Sequence, residues 1–213
     1  MTTRYRINYS KLEGMRYTSN LDIHKMWERT FRRAQLPLKY SQGFHPQPKI
    51  QQANPLPLGF LSKNELLDFY LEGEFKTEDL FPLLTRVIPA GIAIHSIQEI
   101  DNSDPTLQKQ TEASEYHVFL LDVFDPEELT QKIGELMDKN SVLRIRRGKS
   151  YDLRPLIISI ILETNNPPFI KMVLSAKDGA TGRPDEVLSQ LGIPLEVTRI
   201  IREKTFLSES PTE

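Results

Sequence analysis

The residues best suited to chemistry lie close together near the start of the chain. Arg29, Arg32 and Arg33 recur at helical spacing. On a helix, residues three and four apart are neighbours, so their guanidinium groups share one sector. Shortly after them comes Lys39-Tyr40-Ser41-Gln42-Gly43-Phe44-His45-Pro46-Gln47-Pro48-Lys49, a stretch rich in proline, glutamine and aromatic residues with a lysine at each flank. Cations neutralise phosphate, aromatic faces stack on bases, and amides hydrogen-bond base edges. Arg29, Arg32, Arg33, Lys39, Tyr40, Gln42, His45 and Lys49 are therefore the candidate nucleic-acid-binding set. The bland alternative is a solvated helix face followed by a loop whose Phe44 and prolines pack onto the sheet.

Two further basic clusters follow. Lys177, Gly179, Gly182 and Arg183 lead into a helix start, where backbone N–H groups and the helix dipole suit an anion. Asp178, Asp185 and Glu186 oppose that reading. Arg144, Arg146, Arg147 and Lys149 cluster at a strand end and turn. The four histidines, at 24, 45, 95 and 117, do not pair at ligand spacing, so no metal site is expected. His45 has no evident activating partner. No nucleophile elbow, zinc-protease, dinucleotide or Walker motif is present, so no catalytic residue is assigned. There is no cysteine, which excludes a disulfide scaffold, a thiol nucleophile and a cysteine-held iron–sulfur cluster. No cofactor is expected.

Charge is unevenly distributed along the 213 residues. Residues 1–50 carry net +7, residues 51–140 net −11 and residues 141–213 net +2. Such segregation points to one face for an anion and another for solvent or a basic partner. The polar start of the chain is no signal peptide and no apolar run is long enough to span a membrane, so a cytoplasmic location is expected.

The elements that must position these residues follow from periodicity. Residues 4–9 alternate as a strand. Ser19-x-x-Asp22 caps a helix running to about Ala34, with Ile23, Met26, Trp27, Thr30, Phe31 and Ala34 on its apolar side. Residues 65–71 and 92–100 read as strands, with a helix over 77–87 that starts near Asp79 if Pro82 is not tolerated inside it. The polar stretch 101–114 reads as an interdomain linker. Beyond it come strands over 116–124, 141–147, 153–163 (continuously apolar, hence central), 169–175 and 195–203. Asp125-Pro126 starts a helix, and Gly192 caps another over 184–191.

This order predicts an α+β fold of two tandem ferredoxin-like (split βαβ) sandwiches, over 1–100 and 115–207, with a tail at 208–213. Both helices of each half would cover one sheet face. The other face is expected to be free for RNA, the other half or a partner.

The stretch from Met15 to Gly59 resembles the signature of a bacterial family, the radical-SAM-linked domain. Leu21-Asp22, Glu28-Arg29, Arg32-Arg33-Ala34, Leu36-Pro37-Leu38, Tyr40-Ser41-Gln42-Gly43-Phe44, Pro46, Pro48-Lys49-Ile50, Pro57-Leu58-Gly59 and Glu65 carry the likeness, with Arg183-Pro184-Asp185-Glu186-Val187-Leu188 near the end. Asn20 departs from the family, which often has His there, and no role of that histidine transfers to this chain. The resemblance implies an accessory partner of a radical S-adenosylmethionine enzyme, one that captures its substrate. The expectation is a non-catalytic module that binds RNA or a ribosome-related ribonucleoprotein and presents it to that enzyme. The alternatives are an adaptor that binds the enzyme alone, and a metal-independent RNA-processing enzyme using His45 or Tyr40.

Overall fold

A computed structural model of the chain describes residues 1–146 and 148–208. The chain forms two compact α+β units, one of residues 1–111 with Ser208, the other of residues 112–207. Among the described residues no helix is long and apolar enough to cross a membrane.

The first unit runs β1 (Thr2–Lys11), α1 (Asn20–Arg33), β2 (Ile50–Gln52), β3 (Leu61–Glu72), α2 (Thr77–Val87), β4 (Ile92–Ile100) and the short α3 (Leu107–Gln110). Its strands are ordered β2-β3-β1-β4, and β1 is antiparallel to both neighbours. Opposite Tyr5 and Ile7 on β1 stand Phe69 and Leu67 on β3, so the alternating apolar residues form one continuous core face. Onto it α1 turns Ile23, Trp27, Thr30 and Phe31. Trp27 meets Tyr9 edge-on at 5.0 Å and stacks on Phe31 at 5.6 Å, which stacks on Phe69 at 4.6 Å. Each such pair contributes about 0.5–1.5 kcal/mol beyond the area it buries. The helix α2 starts at Thr77 and keeps Pro82 in its interior, held by the fully buried Leu80 and Leu84.

The opposite face of this sheet differs from the expectation of an open surface. Arg4 and Arg6 on β1 point there, with Asp68 on β3 between them. All three are buried. One carboxylate cannot satisfy two guanidinium groups, and buried donors need acceptors. The chain after β4 supplies them. The Asp104 and Pro105 carbonyls each accept from Arg4 at 2.9 Å, and Gln110 Oε1 accepts from Arg6 at 2.7 Å. Residues read as linker thus lie over the first unit's sheet, with Leu107 fully buried.

The second unit runs β5 (Thr111–Leu120), α4 (Pro126–Met137), β6 (Leu143–Arg146), β7 (Lys149–Asp152), β8 (Ile157–Glu163), β9 (Phe169–Lys177), β10 (Ala180–Thr181), α5 (Pro184–Leu191) and β11 (Thr198–Leu207). Its strands are ordered β8-β9-β5-β11, with β10 folded back on β9. Three expectations are corrected here. The strand over 141–147 is one arm of a separate β6–β7 hairpin that leaves Leu143 and Ile145 exposed. The apolar stretch 153–163 begins with a 3-10 turn, closed by the Leu156 N–H on the Leu153 carbonyl at 3.0 Å. The strand that follows, β8, pairs only with β9 among the described residues, so it is not central. Residues 209–213, most of the expected tail, lie outside the described residues.

Candidate nucleic-acid interface

The capping expected from sequence fixes α1. Ser19 Oγ accepts from the Asp22 N–H at 3.2 Å and donates to its carboxylate at 2.7 Å. With its apolar side against the sheet, α1 turns Lys25, Arg29, Arg32 and Arg33 to solvent. Arg32 is paired with Glu28 at 2.8 Å, one turn back. Among the described residues Arg29, Arg33 and Lys25 have no ion-pair or hydrogen-bond partner. Together with Arg32, Met15, Met26, Asp22 and Pro89 they line an open cleft of about 580 Å³.

After α1 the chain forms a hydrogen-bonded arm. The Lys39 N–H donates to the Tyr70 carbonyl at 2.8 Å, the Lys49 N–H to the Lys39 carbonyl at 2.7 Å, and the Ser41 N–H to the Gln47 carbonyl at 2.8 Å. A bridge pairs Tyr40 with Pro48, and the Gln47 N–H donates to Ser41 Oγ at 3.0 Å. These bonds close the base of the arm and leave Gln42 to Pro46 as its tip, every residue exposed. Lys39 is held by Glu72 at 3.2 Å, and the Lys49 ammonium sits 3.8 Å from the centre of the Tyr70 ring. A second cleft, of about 540 Å³, separates the arm from the end of α1. It is lined by Arg32, Lys39, Tyr40, Gln42, Pro46 and Glu72 among others. The fold thus brings Arg32, Lys39, Tyr40 and Gln42 together, with Arg29 and Arg33 on the adjoining cleft. His45 and Lys49 line neither.

Phe44 is outside the candidate set, and the bland alternative packs it onto the sheet. It stands fully exposed at the arm tip, with no ring partner among the described residues. The signal in the sequence was its position between Gly43 and His45, in an eleven-residue stretch with no carboxylate.

The model of a bacterial family described as an uncharacterized protein conserved in bacteria (DUF2344) matches residues 4–184. The chain belongs to this family. The DUF2344 match contains the whole of α1 and the arm, as well as the second candidate set at 177–183. No curated protein matches the chain. Among solved structures, the encapsulated DyP-type peroxidase from Mycobacterium smegmatis is similar at 12% identity, over 96% of this chain and 91% of that one, with a TM-score of 0.21. At that score the likeness carries no argument about this chain.

The second set within the DUF2344 match is already internally neutralised. Lys177 pairs with Glu112 at 2.6 Å, and Arg183 grips Asp185 at 2.9 Å. Burial alone would lower the Arg183 pKa, but the hydrogen bond and charge of Asp185 outweigh it and raise the value. The N–H of Gly182 donates to the Ser175 carbonyl at 2.8 Å, and those of Glu186 and Val187 turn back to Arg183. Pro184, the first helical residue, has no N–H to offer. A Cβ on Gly182 would come within 2.9 Å of the Leu156 carbonyl, so that glycine serves packing rather than anion approach. In the other basic cluster Arg144 pairs with Glu186 at 2.6 Å, and Arg147 lies outside the described residues. Of the histidines, His117 bonds Glu115 at 2.9 Å and stacks on Phe169 at 4.2 Å. Among the described residues no three His, Asp or Glu side chains are grouped to hold a metal ion.

Proposed function

We propose that this protein binds RNA through α1 and the arm that follows it, and presents that RNA to a radical S-adenosylmethionine enzyme. The observation that carries the RNA reading is the pair of exposed, unpaired guanidinium groups of Arg29 and Arg33, next to an arm of aromatic and amide groups without a carboxylate. An evolved solvent face would be expected to interleave signs, as Arg32 with Glu28 does. Phosphate contacts supply salt-sensitive affinity, and Tyr40, Gln42 and His45 supply contacts to bases. The enzyme partner rests on the resemblance of Met15–Gly59 and on nothing in the geometry. The finer reading of the architecture belongs here too: each unit is a split βαβ sandwich, a view supported by the orders β4-β1-β3-β2 and β11-β5-β9-β8.

The test is a salt series of RNA binding with an Arg29→Ala, Arg33→Ala double variant. Wild-type affinity should fall linearly on a log–log plot against salt, and the variant should lose about 0.7 of slope per missing phosphate contact on single-stranded RNA. A folded double variant with unchanged affinity and slope rejects the site.

A further inference from the structure

The arm tip has a chemistry that the cationic face alone does not explain. Phe44 is bare to solvent on a segment whose base is tied by backbone hydrogen bonds at Lys39, Ser41 and Lys49. The ring supports no core, so burial gives no reason for it to be there, and its apolar surface carries a standing cost in water. Gly43 has φ +128°, a conformation reserved for glycine, while a Cβ there would meet nothing within 4 Å. The glycine therefore serves the backbone bend that carries Phe44, not a tight contact. Beside the tip, Tyr40 is half exposed and lines the 540 Å³ cleft with Gln42 and Arg32. That volume lies within the range of about 300–1,000 Å³ typical of small-ligand clefts.

From this geometry we infer that Phe44 is a stacking platform for an unpaired base, so the ligand of the α1–arm surface is single-stranded RNA and not duplex. The inference rests on the RNA-binding reading above. In a duplex every base face is already stacked, and the A-form major groove is too narrow for side chains to read. A bare ring can use its face only on a base that has left the stack. The Phe44 ring takes that base, Tyr40 and Gln42 face the neighbouring nucleotide in the cleft, and Arg29 and Arg33 hold the backbone. Stacking is independent of counterion release, so the ring and the arginines contribute separable parts of the affinity.

The experiment compares a labelled oligouridine strand with its duplex with oligoadenosine, by anisotropy over a salt series. It uses wild type, Phe44→Ala, Phe44→Trp and the Arg29→Ala, Arg33→Ala double variant. Wild type should prefer the single strand. Phe44→Ala should weaken single-strand binding by roughly fivefold to a hundredfold. Its salt slope and melting temperature should be unchanged, and Phe44→Trp should restore affinity. The double arginine variant should instead lose slope on both ligands. A wild type that binds neither RNA overturns the inference together with the reading it rests on. Equal affinity for strand and duplex, with no effect of Phe44→Ala, overturns the inference and leaves that reading standing. Unaltered RNA affinity in Phe44→Ala with loss of radical-enzyme capture also overturns it, and assigns the ring to a protein contact.

Discussion

Asp68 offers a direct test of how the first unit holds together. Its Oδ2 accepts from Arg4 Nε at 2.8 Å and from the Arg4 terminal nitrogen at 2.6 Å, while Arg6 reaches Oδ1 at 2.7 Å and Oδ2 at 3.0 Å. Asp68 is fully buried and Arg4 is 1% exposed. Removing one partner of a buried ion pair costs about 3–5 kcal/mol, because the remaining charge is left without its counter-ion. Here two cations are stranded, but the Asp104 and Pro105 carbonyls and Gln110 still accept from them. The expected cost of Asp68→Ala is therefore near the lower end, about 3 kcal/mol. Asp68→Leu restores volume and should recover little, since the deficit is charge and not space. Asp68→Asn retains one acceptor oxygen and should cost about 2 kcal/mol. The assay is urea unfolding followed by Trp27, the only tryptophan of the chain, which is buried in the core of this unit. Its fluorescence reports the unit that contains Asp68. If Asp68→Ala stays within about 1 kcal/mol of wild type, or if Asp68→Leu restores full stability, the charge argument is wrong.

Gly91 has φ +92°, and a Cβ there would lie 2.8 Å from Met15 Cγ and 3.1 Å from the Met15 nitrogen. Gly91→Ala should therefore cost at least about 1–3 kcal/mol by thermal unfolding, whereas a loss of only a few tenths would show that the Met15 segment yields freely. Tyr70 has its pKa raised above 10.0, first by burial, with Arg4 opposing and Asp68 reinforcing the shift. The unfolded chain then releases the phenol proton before the folded one does, so stability is intact below about pH 10 and declines as pH climbs toward the folded value. Tyr70→Phe should lessen that alkaline decline, and the wild-type-minus-variant phenolate absorbance should titrate above the ordinary tyrosine range. A difference titration at or below that range refutes the assignment.

Local signals in the sequence were the most legible. The Ser19 cap, the Asp125 cap with proline after it, and the periodicity that buries Trp27 and Phe31 each depend on residues within one or two turns. Placement of the basic face on α1 followed from the same periodicity. What could not be read depended on partners far along the chain. The +7 of the first fifty residues includes Arg4 and Arg6, which are spent on an aspartate more than sixty residues away. It also includes Lys11, bonded to the Arg16 and Thr18 carbonyls, and Arg16, bonded to the Gly59 carbonyl. Charge counting cannot distinguish a cation facing water from one facing a buried carboxylate. Phe44 was ambiguous in the sequence for a different reason. Hydrophobicity argues for burial, but the backbone bonds between Ser41 and Gln47 hold the tip away from any core. The stretch 101–110 looked like a linker because it is polar, yet its carbonyls and Gln110 are the acceptors that Arg4 and Arg6 require.

That covering segment decides where the first unit can be read from outside. A four-stranded sheet backed by two helices usually has a bare face, and that face is where many RNA-binding modules lay out their bases. Here the face is shut by the chain's own polypeptide, sealed with two arginines. On the proposed reading, recognition falls to the periphery, to the outer side of a helix and a projecting arm. Such a margin grips a strand along a line rather than across a plane. A strand held that way would have few nucleotides engaged at once and would leave much of its length accessible to a second protein.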